Sequence, residues 1–203
     1  VNVPFSEPLY DTVTEPTIKA QNIPFSITSE TYIGNSDSFL AHWNTAKRKM
    51  ILVGVLPPNS VEQAYIDALG ADESVIVLTE TTSNLHHPNF FPAIDQLIAP
   101  LNEDAFEKLQ PEVLLTFGGM VISKKIKAFL RTYPPKAHYH IDPKRGMDTF
   151  FVLSQHFATD FNTFFKTEIV DSKIVKSNYR KQWLNVRNER LRRHIAYVND
   201  IVY

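Results

Sequence analysis

Val113-Leu114-Leu115-Thr116-Phe117-Gly118-Gly119-Met120-Val121-Ile122-Ser123-Lys124-Lys125 decides the fold. The first five residues form a short, almost continuous apolar run, the pattern of a strand buried on both faces. Two glycines turn the chain, and a helix is predicted across residues 123–133, stopped by Pro134-Pro135. A strand feeding glycines and then a helix is the repeating unit of a parallel α/β sheet.

The same unit recurs outward from this stretch. Met50-Ile51-Leu52-Val53-Gly54-Val55 reads as a buried strand ended by Pro57-Pro58. Asn59 or Ser60 is placed to cap a following helix through Leu69, with Gly70 where a helix end favours a left-handed residue. Residues 74–78 form the next strand, running into the polar loop 79–84. A helix opens at Asn102-Glu103-Asp104 and closes near Leu109 and Pro111. Residues 137–141 give a fourth strand, Phe150-Phe151-Val152 a fifth, and residues 160–165 a helix. Ahead of the first strand, residues 37–47 read as a helix with Phe39, Leu40 and Trp43 on one face. The expected fold class is therefore α/β, a Rossmann-like parallel sheet with helices on both faces.

The ends differ from the middle. Pro4, Pro8, Pro16 and Pro24 fall in a non-periodic start, so residues 1–30 read as an extended linker. Val1-Asn2-Val3-Pro4-Phe5 looks like the end of a strand, and the chain reads as a fragment. Residues 173–203 carry a long final helix, with Leu184, Leu191, Ile195 and Val198 as its apolar stripe. Arg180, Lys181, Arg187, Arg190, Arg192 and Arg193 make that helix basic. Docking to a neighbouring domain is preferred to nucleic-acid binding, because the net charge of the whole chain is only −1. Hydrophobic residues at 43% and charged residues at 21% belong to an ordinary globular domain. The absence of cysteine excludes disulfides, thiolate metal sites and a cysteine nucleophile, and suits the cytoplasm. No run is long enough for a membrane span.

The Gly118-Gly119 turn lets backbone approach a ligand, and the helix N-terminus that follows favours an anion. Lys124, in the first helical turn, adds a full positive charge suited to a carboxylate or phosphate. The plain alternative is a tight turn with a solvated lysine. Neither GxGxxG nor GxxxxGK[ST] occurs, which argues against a dinucleotide-binding enzyme. His138 and His140 lie two apart on a strand and face the same way, but no third ligand is near, so strand histidines that are partly exposed or hydrogen-bonded are expected and no metal site. His86-His87 is expected to point apart. Glu80 and Asp95 have no assignable partners, and solvation is their default.

The opening residues Val1-Asn2-Val3-Pro4-Phe5-Ser6-Glu7-Pro8-Leu9-Tyr10 resemble the N-x-P-F-R-E-P-L segment of the 2-succinyl-5-enolpyruvyl-6-hydroxy-3-cyclohexene-1-carboxylate synthase family, with Ser6 in place of the arginine. Phe117-Gly118-Gly119-Met120-Val121-Ile122-Ser123-Lys124 is similar to its F-G-x-x-x-x-S-K, and Ser83-Asn84-Leu85 to a family S-N-L. The resemblance implies a middle domain (residues 31–172) of the DHS-like NAD/FAD-binding type, flanked by a linker from a pyrimidine-binding domain and a connector to a diphosphate-binding domain. It implies a parent, a homodimer or tetramer, that decarboxylates 2-oxoglutarate on thiamine diphosphate and Mg²⁺ and adds the product to isochorismate in menaquinone biosynthesis. The cofactor motifs of that family are not found in this stretch, so the domain alone is expected to be inactive and cofactor-free. Lys124 is then the substrate contact, with Ser123 and the Gly118-Gly119 turn shaping its approach and Asn84 a weaker candidate. A middle domain of acetolactate-synthase type, holding a flavin or nucleotide, and a stand-alone binding module are the alternatives.

Overall fold

The computed structural model describes residues 14–15, 35–170 and 172–201. The opening decapeptide and nearly all of the expected linker lie outside them. The unit Thr31–Tyr203 carries the elements that follow. They are α1 (Asp37–Trp43), β1 (Lys49–Val53), α2 (Gln63–Ala71), β2 (Val75–Leu78), α3 (Ile94–Ile98), α4 (Glu103–Leu109), β3 (Val113–Phe117), α5 (Lys124–Thr132), β4 (Ala137–Ile141), β5 (Leu153–Phe157), α6 (Phe161–Phe164) and α7 (Tyr179–Asp200).

The five strands form one parallel sheet in the order β2-β1-β3-β4-β5. Alternate residues of each strand face opposite ways. Ile51, Val53, Val77, Leu115 and Tyr139 pack in one cluster with Phe39, Trp43, Ile66 and Phe164 from α1, α2 and α6. Met50, Leu52, Ile76 and Leu114 pack in another with Leu97, Ile126, Phe129 and Trp183 from α3, α5 and α7. Burial on both faces is why β1 and β3 read as near-continuous apolar runs.

Helix α5 buries Ile126, Phe129 and Leu130, spaced three and four apart, so its other side is free to face solvent. Truncating Phe129 to alanine would cost about 3–5 kcal/mol, which shows how firmly packing fixes this helix.

Several sequence expectations need correction. The fifth strand is Leu153–Phe157 rather than residues 150–152. Phe151 sits at φ 62°, and the Asp148 carboxylate accepts the N–H groups of Val152 and Leu153, so that stretch is a turn. Helix α2 begins only after its extended N-cap Glu62, and Asn59, left-handed at φ 57°, does not cap it. Gly70 is inside that helix, and its lack of a side chain serves packing instead: a Cβ there would fall 2.1 Å from the His87 ring. Helix α3 went unread in sequence, since five residues between prolines carry too little periodicity. On α7, Tyr179, Arg180 and Trp183 are the buried residues, whereas Leu191, Ile195 and Val198 are about half exposed.

Candidate functional site

In a sheet of this order the strand sequence reverses between β1 and β3, and the crevice beyond their carboxyl ends is the usual ligand position. Here backbone fills that crevice. The Gly54 N–H donates to the Phe117 carbonyl at 2.9 Å, and the Gly119 N–H donates to the Val55 carbonyl at 2.8 Å. A Cβ on Gly54 would lie 1.9 Å from the Gly119 oxygen, so glycine is required there for close approach. Gly118 has φ +81° and turns the chain away from the sheet. Open space is left on either side of this turn.

On the β2 side is a cleft of about 280 Å³ lined by Glu80, Thr81, Thr82, Asp95, Ile122 and Ser123. The Glu80 carboxylate accepts the N–H of Ile122 at 2.9 and 3.0 Å and that of Ser123 at 2.7 Å. Ser123 caps α5, its hydroxyl oxygen accepting the Ile126 N–H at 3.1 Å while its O–H donates to the Asp95 carboxylate. Glu80 is itself held. Its N–H donates to the Ser83 hydroxyl at 2.9 Å, and Ser83 donates to the Val53 carbonyl at the end of β1 at 2.8 Å.

The positive end of α5 is thus partly met by the protein's own carboxylates, which revises the expectation of a vacant helix-terminus anion site. Glu80 is half-buried and bonded to backbone, while Asp95 keeps the exposure expected of it and also accepts from Ser123. Sequence reading missed this because Glu80 and Ser123 are 43 positions apart and no local pattern joins them. Lys124, one residue further on, is exposed, and among the described residues its ammonium makes no hydrogen bond or ion pair. Ser123 is buried at 8% exposure. Asn84 lies at the same edge with φ 50°, its amide donating to the carbonyls of Leu56 (2.7 Å) and Thr82 (3.3 Å). Neither Lys124 nor Asn84 lines the cleft.

On the β4 side a larger cleft, about 460 Å³, is lined by Gly118, Gly119, Lys127, His140, Lys144 and Phe150, among others. His138 and His140 do face one way, joined by one hydroxyl: Thr116 Oγ1 lies 2.8 Å from His138 Nε2 and 2.8 Å from His140 Nδ1. A hydroxyl has one proton and two lone pairs, so it can donate to at most one ring, and at least one imidazole N–H must donate to it. Both histidines are buried and hydrogen-bonded, the second of the two arrangements expected for them. Burial, reinforced by His140, pushes His138 down to about 4; burial also lowers His140, against the opposing pull of Asp142. His86 is exposed and His87 packs on Gly70. Among the described residues no three His, Cys, Asp or Glu side chains converge as a metal site.

A family described as "Middle domain of thiamine pyrophosphate" matches residues 19–198. The chain belongs to this thiamine pyrophosphate middle-domain family. It is 44% identical over 203 residues to a protein of Flavobacterium psychrophilum, covering 100% of this chain and 37% of that one. A protein of Flavobacterium johnsoniae is 48% identical over 181 residues, covering 88% and 33%. One from Christiangramia forsetii is 47% identical over 209 aligned residues, covering 100% and 36%. All three are called 2-succinyl-5-enolpyruvyl-6-hydroxy-3-cyclohexene-1-carboxylate synthase. The chain therefore spans little more than a third of the length of these relatives.

As a middle domain, the chain carries exposed apolar side chains around the glycine turn: Val55 (43%), Met120 (71%) and Ile122 (58%). The basic character of α7 is partly absorbed at home. Arg180 donates to the carbonyls of Gly70 and Ala71, Arg187 to that of Pro88, and Glu189 pairs with Arg192 and Arg193. Among the described residues no helix is long and apolar enough to cross a membrane.

Proposed function

We propose that this domain is the central part of a cytoplasmic synthase, a homodimer or tetramer, that decarboxylates 2-oxoglutarate and joins the product to isochorismate. The shared name of relatives 44–48% identical supports the reaction. The observation that carries the domain's own role is Lys124, exposed and among the described residues unpaired, at the start of a helix fixed by buried packing. Both substrates bear carboxylates, and an ammonium with three donors on a supported helical turn is suited to hold one. Ser123 and the Gly118-Gly119 turn contribute by placing that turn, and Asn84 by bracing the neighbouring loop.

In the parent enzyme thiamine diphosphate with Mg²⁺ supplies the carbanion chemistry. The donors described here do not fit that cofactor. Glu80 is committed to backbone N–H groups, Asp95 to Ser123, and Asp142 to the N–H groups of Lys144 and Arg145. The cofactor is therefore assigned to the domains on either side, which are also proposed to cover Val55, Met120, Ile122 and the outer face of α7.

The test is an assay of the full-length protein with 2-oxoglutarate, isochorismate and thiamine diphosphate. Carbon dioxide release coupled to consumption of isochorismate is expected. Turnover of pyruvate instead, with stoichiometric binding of FAD to the protein, would replace this reading with the acetolactate-synthase type.

A further inference from the structure

Lys124 stands at the end of a segment with little packing of its own. Between Gly119 and Ser123, Met120 and Ile122 are largely exposed and only Val121 is half-buried. Helix α5 is pinned by Ile126, Phe129 and Leu130 and capped by Ser123, so it does not need Glu80 to be a helix. The bonds that Glu80 makes lie just ahead of the helix, where they fix the path of the chain into it. We infer that Glu80 is a positioning residue for the substrate-facing lysine: its carboxylate clamps the Ile122 and Ser123 N–H groups and so sets the direction in which Lys124 leaves the turn. This rests on the reading of Lys124 as the substrate contact.

The clamp is tied to the sheet. From the Val53 carbonyl, bonds run through the Ser83 hydroxyl and the Glu80 N–H, and the Glu80 carboxylate reaches the residue before Lys124. Ser83 is fully buried, so the anchor is rigid. Hydrogen bonds from N–H groups to an ionised carboxylate are the strong kind, and two adjacent donors define a direction as well as a distance. The negative charge is spent on these N–H groups and forms no ion pair with Lys124 among the described residues, which leaves the ammonium for substrate.

The experiment is a double-mutant cycle in the full-length, cofactor-loaded enzyme with Glu80→Gln, Lys124→Ala and the pair. In Glu80→Gln one accepting oxygen becomes an amide that faces the Ile122 N–H. A loss in kcat/KM of roughly 10-fold is expected, with melting temperature and thiamine diphosphate affinity unchanged, since misplacement of about 1 Å costs up to roughly 100-fold. If Glu80 acts through Lys124, the double variant is no slower than Lys124→Ala alone. Independent, multiplying losses, or a Glu80→Gln enzyme with normal kinetics beside an impaired Lys124→Ala, would overturn the positioning role and leave the lysine reading intact. Normal kinetics in Lys124→Ala would overturn both. Glu80→Ala, which removes both acceptors, should reproduce the result if it folds; Glu80→Gln keeps the size and does not depend on it.

Discussion

The Glu80–Ser123–Asp95 cluster and the His138–Thr116–His140 cluster both hang on β3 or its continuation, and they treat polar groups in opposite ways. In the first, loops at the carboxyl edge supply partners for both carboxylates and for the Ser123 hydroxyl, and Lys124, next in sequence, faces water. Inside the sheet, strand register places Thr116 beside His140, and nothing can adjust. One hydroxyl serves two rings, and among the described residues His138 Nδ1 and His140 Nε2 have no hydrogen-bond partner. The lesson is that loops at strand ends can present a charge, whereas the sheet beneath can keep histidines only by keeping them neutral.

Disturbing the close approach of the β1 and β3 ends should have the largest effect on stability. Gly54→Ala puts a methyl group against the Gly119 carbonyl and should cost about 3 kcal/mol or more in urea unfolding. A loss under about 1 kcal/mol would show that the turn gives way easily.

Acid should separate the clusters. His138 is lowered in the folded chain from 6.5 to about 4, so as pH falls the unfolded chain takes up the proton first. The stability linked to neutral His138 is fully present above pH 6.5 and is lost on the way down to about pH 4, roughly 3 kcal/mol in all. His140 shifts the same way, opposed by Asp142, while Asp148 opposes the shift of His138. A His138→Leu variant should show a shallower loss across this window; an unchanged slope would mean that the histidine is not what titrates. Thr116→Val leaves both rings without their shared partner and should cost about 2 kcal/mol at neutral pH. Lys124→Ala is expected to be within about 0.5 kcal/mol of the parent in the same unfolding experiment, because the side chain is exposed and, among the described residues, unpaired.

The sheet was legible because its strands are buried on both faces: runs such as Met50–Val53 and Val113–Phe117 have few other readings. The glycine turn and the helix after it were legible through Gly118, Ser123 and the proline stop. Phe150-Phe151-Val152 misled because apolar composition does not reveal a left-handed residue at 151. The stripe Leu191, Ile195 and Val198 misled because helical spacing reports a face without saying what covers it. The carboxylate clamp was illegible for another reason. Glu80, Asp95 and Ser123 meet only once β2, α3 and α5 are stacked, and such long-range polar pairing leaves no periodic trace in a single sequence.

The central claim is that this domain contributes one substrate-facing charge, and the most direct test is steady-state kinetics of Lys124→Ala in the full-length enzyme. The account predicts that kcat/KM falls by roughly 100-fold, the loss of a charge-assisted contact of about 3 kcal/mol, while thiamine diphosphate affinity is retained. Unchanged kinetics with both substrates would contradict it.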